Sequence, residues 1–432
     1  MFLVAVGAIG IIGGMVFAGY LWKWQSSTTL QIKAIQDQGL PISMGELDAF
    51  YRIPAGVKDR TAKWTAALDA FSALDQSGVD AKLPIVGSER NPAPLPGEEW
   101  ENIEDARELL HECKTQLDLL REAAVEEGAV RFPVVDWGYA ETDSPHLLSI
   151  RFASRLLLLD AFIELRDDHP ERVFQDLLTL LSLSNTLKYE PTIISQMVIN
   201  ELLGKLNDEL PKLISQSKWT DAQCAELQIA INRLDHREGL ARSLIGDRAA
   251  SLSMIQREDF SVFQGAIEGA YLTVSEQAIT ALKNPWPIFM ADMQAIEIEL
   301  SLIKSKRFSE YRYTLVATLF PSLKFAATST CKSVARQRCC LVGLAAHRFR
   351  LRHGRFPDSI DEIDSSSYDP GMNLEEIRAD PFDGQRLRLI VRSDEIVIYS
   401  ISQNGKDDQG QGWIVNQPTD DISFRVFRAP AP

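Results

Sequence analysis

The chain has 432 residues, 45% of them hydrophobic and 24% charged, with a formal net charge of −15. These are globular values for a chain long enough to hold more than one domain, and they exclude both wholesale disorder and a protein that crosses a membrane many times. The acidic balance excludes nucleic acid as a general partner, because phosphate binding needs basic surface.

Residues 1–22 carry no charged side chain, and an apolar run of about twenty residues matches the helix length that crosses the hydrocarbon core of a bilayer. Tyr20, Trp22 and Trp24, grouped around Lys23, form the aromatic belt expected where such a helix leaves the membrane. Residues 1–24 therefore read as a transmembrane helix. Gly10, Gly14 and Ala18 stand at a four-residue spacing that would let two such helices approach closely. Lys23 and Lys33 follow the span, and by the positive-inside rule they put the body in the cytoplasm. The C-terminal domain argues for the opposite side.

Residues 25–310 read as a helical domain. Ser43 and Glu46 have the spacing of a capping box, which predicts a helix start. Trp64, Leu68 and Phe71 then mark one face of a second helix. Pro92, Pro94 and Pro96 put a loop over 84–97, and apolar spacing from Trp100 to Leu120 predicts one helix over 98–127. Pro133, Trp137 and Gly138 break the pattern. Amphipathic helices are expected over 146–167, 170–189 and 192–215, with Pro170 at the first position of the second. The join through Asp167, Asp168 and His169 resembles a tetratricopeptide-type turn, but one unit makes no repeat array. Thr220 and Gln223 form another capping box, and further helices fill 240–283 and resume after Pro285 and Pro287. The middle region thus reads as an all-helical bundle or short solenoid of roughly ten helices.

The five cysteines, Cys113, Cys224, Cys331, Cys339 and Cys340, show neither a CxxC pair nor metal-ligand spacing, so they read as buried small apolar residues. Between Tyr311 and Pro357 there is no Asp or Glu, while Lys and Arg recur from Arg312 to Arg355. Such segregation fits either an anionic partner or, more simply, a basic helix packed against acidic helices of its own chain. His347 and His353 lack a third ligand for zinc. His111, His146, His169 and His236 are scattered and read as exposed or capping. No nucleophile elbow, zinc-protease helix, phosphate-cradling glycine loop or EF-hand pattern is present, so no catalytic residue is assigned.

Residues 311–432 read as a small α+β domain with its long leading helix and an antiparallel sheet. Gly354 stands where a left-handed cap would stop that helix, and Ser359 with Glu362 starts a short one. A turn over 380–384 feeds a strand with Leu387, Leu389 and Val391 on one face. Residues 396–401 form a more apolar, more central strand. Asn404-Gly405 turns the chain, and a last strand holds Ile422, Phe424 and Val426.

This order of a long helix, a G-R-F-P step, a capped turn, D-P-F-D-G, a hairpin ending in I-Y-S, an N-G-K-D-D loop and a final D-I strand resembles the globular domain of the major pseudopilin of type II secretion. The resemblance covers roughly the last hundred residues. It implies a calcium site in the loop after the Y-S strand, at Asn404, Asp407, Asp408, Asp420 and Asp421, since calcium takes oxygen ligands in flexible geometry. The sequence departs from that family in lacking a basic leader with its cleavage site. The whole layout, with its G-L-P-I-S-x-x-E-L opening at Gly39, also resembles bacterial membrane-anchored proteins of no assigned activity.

The expectation from sequence is a single-pass protein of the inner (cytoplasmic) membrane. It is held by residues 1–24, has its soluble part outside the cytoplasm, and is non-catalytic. It makes protein–protein contacts beside a secretion or pilus-like assembly. The alternatives are an enzyme with its site in the helical domain and a membrane-anchored ligand sensor.

Overall fold

The computed structural model describes residues 2–72, 79–89, 91–134, 144–258, 263–304, 313–412 and 419–427. Among them the protein is mainly helical with one three-stranded antiparallel sheet. The helices in chain order are α1 (Phe2–Gln36), α2 (Met44–Phe50), α3 (Thr61–Ser72), α4 (Ile103–Glu112), α5 (Lys114–Ala124), α6 (Pro145–Arg166), α7 (Pro170–Asn185) and α8 (Ile193–Gln216). They continue as α9 (Asp221–Asn232), α10 (His236–Arg257), α11 (Gln264–Ala281), α12 (Trp286–Lys304), α13 (Tyr313–His353) and the short α14 (Leu374–Ile377). The strands are β1 (Arg388–Val391), β2 (Glu395–Ser400) and β3 (Ile422–Phe427).

Several local signals act as read. Thr220 and Gln223 make both hydrogen bonds of a capping box at the start of α9. Gly354 ends α13 at φ 72°, a conformation that an L side chain adopts only with strain. The expected single helix over 98–127 is instead two, because the chain bends at Cys113, whose φ and ψ of −91° and 5° end α4 and admit α5. The turn at Ser359 is a single 3-10 turn over Ile360–Glu362 rather than a short α-helix. Trp137, Gly138 and Arg312 lie outside the described residues.

β2 is the middle strand and is buried along its whole length, as its apolar run requires. Ile396 and Ile398 pair with Val426 and Phe424, so all four stand on one face. That face meets α13 at Gly343. A Cβ built on Gly343 would stand 2.2 Å from Phe424 Cδ1, so only glycine permits this approach.

Two apolar cores are formed, and they cross the boundary expected at residue 310. The first joins α3 to α9 with the C-terminal half of α13 and the sheet, through Phe162, Leu206, Leu227, Leu344, Ile398 and Phe424. The second joins the end of α1 with α10, α11, α12 and the N-terminal half of α13, through Ile35, Leu244, Tyr271, Phe289 and Ala327. α13 is the shared spine and passes from one core to the other between Val334 and Cys339. Polar contacts reinforce the join: Gln228 donates to the Leu341 carbonyl at 3.0 Å and Asn207 to the Ser423 carbonyl at 3.2 Å. The C-terminal sheet is therefore packed into the helical body and does not hang from it as an appended module.

The second half of α1 lies along α11. Thr28 donates to the Gly265 carbonyl at 2.6 Å, Gln31 donates to Thr273 at 3.1 Å, and Ile35 is buried. Toward its N-terminus Ile12, Met15, Val16, Phe17, Tyr20 and Trp22 are exposed, with the Phe17 ring edge-on to Phe263 at 6.3 Å. No helix is long and apolar enough, among the described residues, to cross a membrane. The side chains of residues 1–11 and 13 lie outside that description. The expected span over 1–24 is thus unsupported by the described part of α1.

Candidate functional site

The loop from β2 to β3 brings together the five residues picked out by the pseudopilin resemblance. Ser402, Gly405, Gln409 and Gly410 all have positive φ, which curls the chain back over the end of the sheet. Asp421 accepts from the Asp408 amide at 3.0 Å and the Gly410 amide at 2.9 Å. Asp408 accepts from the Asp420 amide at 3.1 Å and from the Asn404 side chain at 2.9 Å. Asp407 accepts from Tyr399 at 3.1 Å, while Asp420 faces Lys332 at 3.2 Å and Ser402 at 3.1 Å.

These carboxylates are arranged as turn-stabilising acceptors and not as a cage. No group of three or more His, Cys, Asp or Glu among the described residues converges to hold a metal ion. Lys332 supplies Asp420 with a cation from its own chain. The exception to this satisfied network is Asp421, which is 3% exposed and whose Oδ1 has no hydrogen-bond partner. Burial, reinforced by the Asp408 and Asp407 charges and opposed by the two amides, pushes Asp421 up to about 6.

A carboxyl raised from its ordinary 3.8 to about 6 binds its proton more tightly in the folded chain, so folding loses stability as pH rises between those values. Asp421→Asn keeps an oxygen for both amides and removes the charge. Its melting temperature relative to the parent is expected to improve between about pH 4 and about pH 7.5, and adding calcium or chelator is expected to move neither protein. An equal offset at both pH values would refute the buried-charge account, and a rise with calcium would restore the metal reading.

The basic stretch is neutralised from within, as the simpler expectation has it. Lys324 pairs with Glu297 of α12, Arg338 with Glu376 of α14 at 2.9 Å, and Arg348 with Asp221 of α9 at 2.9 Å. Arg355 pairs with Glu362, and Arg350 donates to the Phe427 carbonyl at 3.2 Å. Packing against its own acidic helices accounts for most of the segregation.

Histidine placement differs from expectation at two positions, His146 and His236. His236 and His347 are buried, and burial pushes both down to about 4, so they are neutral. His146 is held by Glu190 at 3.0 Å and stacks on Phe132. Ser195 donates to the same Glu190 at 2.8 Å. Because the carboxylate lies between hydroxyl and imidazole, the histidine cannot take the serine proton, and the trio is a structural clamp and not a nucleophile relay. His169 is exposed at the start of α7, as read. All five cysteines are free and buried, and burial raises every thiol, to about 11 at Cys113 and about 12 at Cys224.

One concentrated set of buried charges was invisible in the sequence. Arg121 of α5 reaches Asp176 of α7 at 2.8 Å and Asp160 of α6, with Asp118 at 3.1 Å. Burial alone would weaken the Arg121 charge, but Asp176 and Asp160 outweigh it; burial raises Asp176 and Asp160. Arg121 also lines a cleft of about 720 Å³ between α5, α7 and α9. The cleft's other polar residues include Gln175, Thr179, Ser182 and Asn185, and no histidine or cysteine lines it. Lys58, Glu126, Glu127, Glu226 and Arg233 line it as well, so the wall can hold a ligand by hydrogen bonds and by charge.

No protein-family model matches the chain, and no curated protein or solved structure matches it either. The likeness of the C-terminal part to a pseudopilin head therefore rests on its residues alone.

Proposed function

We propose that this protein is a membrane-anchored, non-catalytic binding or scaffolding protein of the bacterial envelope. The observation that carries the reading is α1. Its second half is fixed to α11, while Ile12, Met15, Val16, Tyr20 and Trp22 of its first half are exposed, from 55% at Tyr20 to 74% at Trp22, and Phe17 rests edge-on against Phe263. A helix that is apolar all round belongs in a core or a bilayer, and among the described residues Ile12, Met15, Val16, Tyr20 and Trp22 are covered by neither core. The groups that usually carry chemistry support the non-catalytic part, since cysteines and two histidines are buried and neutral and the Ser195 hydroxyl is tied to Glu190.

A protein partner is favoured by the outer stripe of α12. Ile288, Ala291, Ala295, Ile298 and Leu302 recur at alternating spacings of three and four, and all are exposed. This is the pattern of a helix–helix seam. The pseudopilin likeness favours a secretion or pilus-like assembly as the partner, with the body outside the cytoplasm. Removing residues 1–24 is expected to move the protein from the membrane to the soluble fraction of lysed cells with its helical circular dichroism retained. A full-length chain that already fractionates as soluble would remove the proposal.

A further inference from the structure

α12 is apolar on two sides. Phe289, Met293 and Ile296 face the second core, while Ile288, Ala291, Ala295, Ile298 and Leu302 stay exposed on the opposite side, at 51% for Ile288 and Ile298 and 60% for Leu302. The chain itself thus fills one seam of this helix and leaves the other open. Spacings of three and four in alternation give the open seam the first and fourth positions of a heptad, which pack against a second helix lying along it. Ala291 and Ala295 stand in the middle of the seam, where small side chains let two helix axes come close.

The anchor fixes the direction of the second helix when it belongs to another copy of this chain. α1 and α11 run the same way, because Phe17 meets Phe263, Thr28 meets Gly265 and Gln31 meets Thr273. The short turn over 282–285 then reverses the chain, so α12 runs back along α11 toward the end from which the first half of α1 emerges. Two copies held in one bilayer by α1 therefore present α12 in the same direction. A two-fold axis along the membrane normal then pairs their open seams in parallel.

The charges beside the seam make the same choice independently. One flank carries Asp292 and Glu299, and the other carries Gln294 and Ser301. The remaining carboxylate of α12, Glu297, is held by Lys324 of α13. An antiparallel pair sets each flank against its own kind, which brings the carboxylates of the two copies together. A parallel pair sets unlike flanks against each other, so Gln294 of one copy faces Glu299 of the other and donates to it. Every apolar layer then meets its own counterpart.

We propose that the outer stripe of α12 is the seam of a parallel homodimer, formed between two copies anchored side by side in one bilayer. The pairing rests on the anchoring of α1 proposed above. One helix face with two alanine layers is smaller than the roughly 800 Å² per partner that a stable interface in solution buries. Confinement to the bilayer raises the effective concentration of the two copies and compensates for that small area.

The test uses the full-length chain in phospholipid vesicles, with flotation recorded on the same samples. All five native cysteines are buried, so a single introduced thiol reports on its own. Ile288→Cys and Ile298→Cys are each expected to give a disulfide-linked dimer under mild oxidation, whereas Lys283→Cys, exposed but outside the seam, is not. Dilution into detergent before oxidation is expected to abolish the link. Adding Ala295→Glu to Ile298→Cys is expected to lower its yield to that of Lys283→Cys with unchanged melting, since Ala295 is exposed and carries no part of the core. A link that appears only when Ile288→Cys and Ile298→Cys chains are mixed would overturn the parallel arrangement. Chains that float with the vesicles but give no link above the Lys283→Cys level would overturn the dimer and leave the anchoring standing. A chain that does not float would overturn both.

Discussion

Replacing Arg121 by alanine is expected to lower the unfolding free energy by about 3–5 kcal/mol, because it leaves two carboxylates buried without their cation. Asp176 is 1% exposed and its Oδ2 already lacks a partner, so Arg121 is what makes its charge tolerable. The coordinated variant Arg121→Met, Asp160→Asn, Asp176→Leu removes the charges together and is expected to recover most of that loss. Urea unfolding of the three proteins measures this directly. A loss below about 1 kcal/mol in the alanine variant would mean that water reaches the cluster and that α5, α6 and α7 are not locked as described.

Phe424→Ala is expected to cost about 3–5 kcal/mol, since it empties a fully buried ring site at the meeting of β3 and α13. The more telling readout is where the loss appears. Phe424 belongs to the same apolar core as Leu206 of α8 and Leu227 of α9, so amide exchange is expected to speed up in both helices and not only in the sheet. If α8 and α9 keep their protection while the strands lose theirs, the C-terminal part is an independent module and the shared core is refuted.

How much of this could be read beforehand depends on whether the signal is local. Gly354, the Thr220–Gln223 box and the strands around Ile398 and Phe424 were legible, because a cap, a turn or a period-two run is written in adjacent residues. Periodicity tells which face of α13 is buried but not against what, so the crossing of that helix from one core to the other was hidden. Gly343 gave no sign that Phe424 would lie on it. The break at Cys113 has neither proline nor glycine to announce it. Arg121, Asp160 and Asp176 come from three helices, and each alone reads as an ordinary surface charge on an amphipathic pattern. His236 was misread for a related reason: it follows the capping residue Asp235, a position that is normally exposed, and here it is buried among residues distant in sequence. The acidic loop shows the reverse case. The same Asn and Asp side chains that resemble a calcium loop can also make the hydrogen bonds of a tight turn, and here Asn404, Asp408 and Asp421 make such bonds.

The central claim is that α1 holds the body to a bilayer, and flotation of the purified full-length chain with phospholipid vesicles tests it most directly. The parent protein is expected to rise with the vesicles and to resist alkaline extraction. A variant carrying Ile12→Asp and Val16→Asp, both on exposed positions that touch no part of the body's cores, is expected to stay at the bottom of the gradient with unchanged melting of the body. A parent chain that is monodisperse without detergent and does not float would contradict the claim.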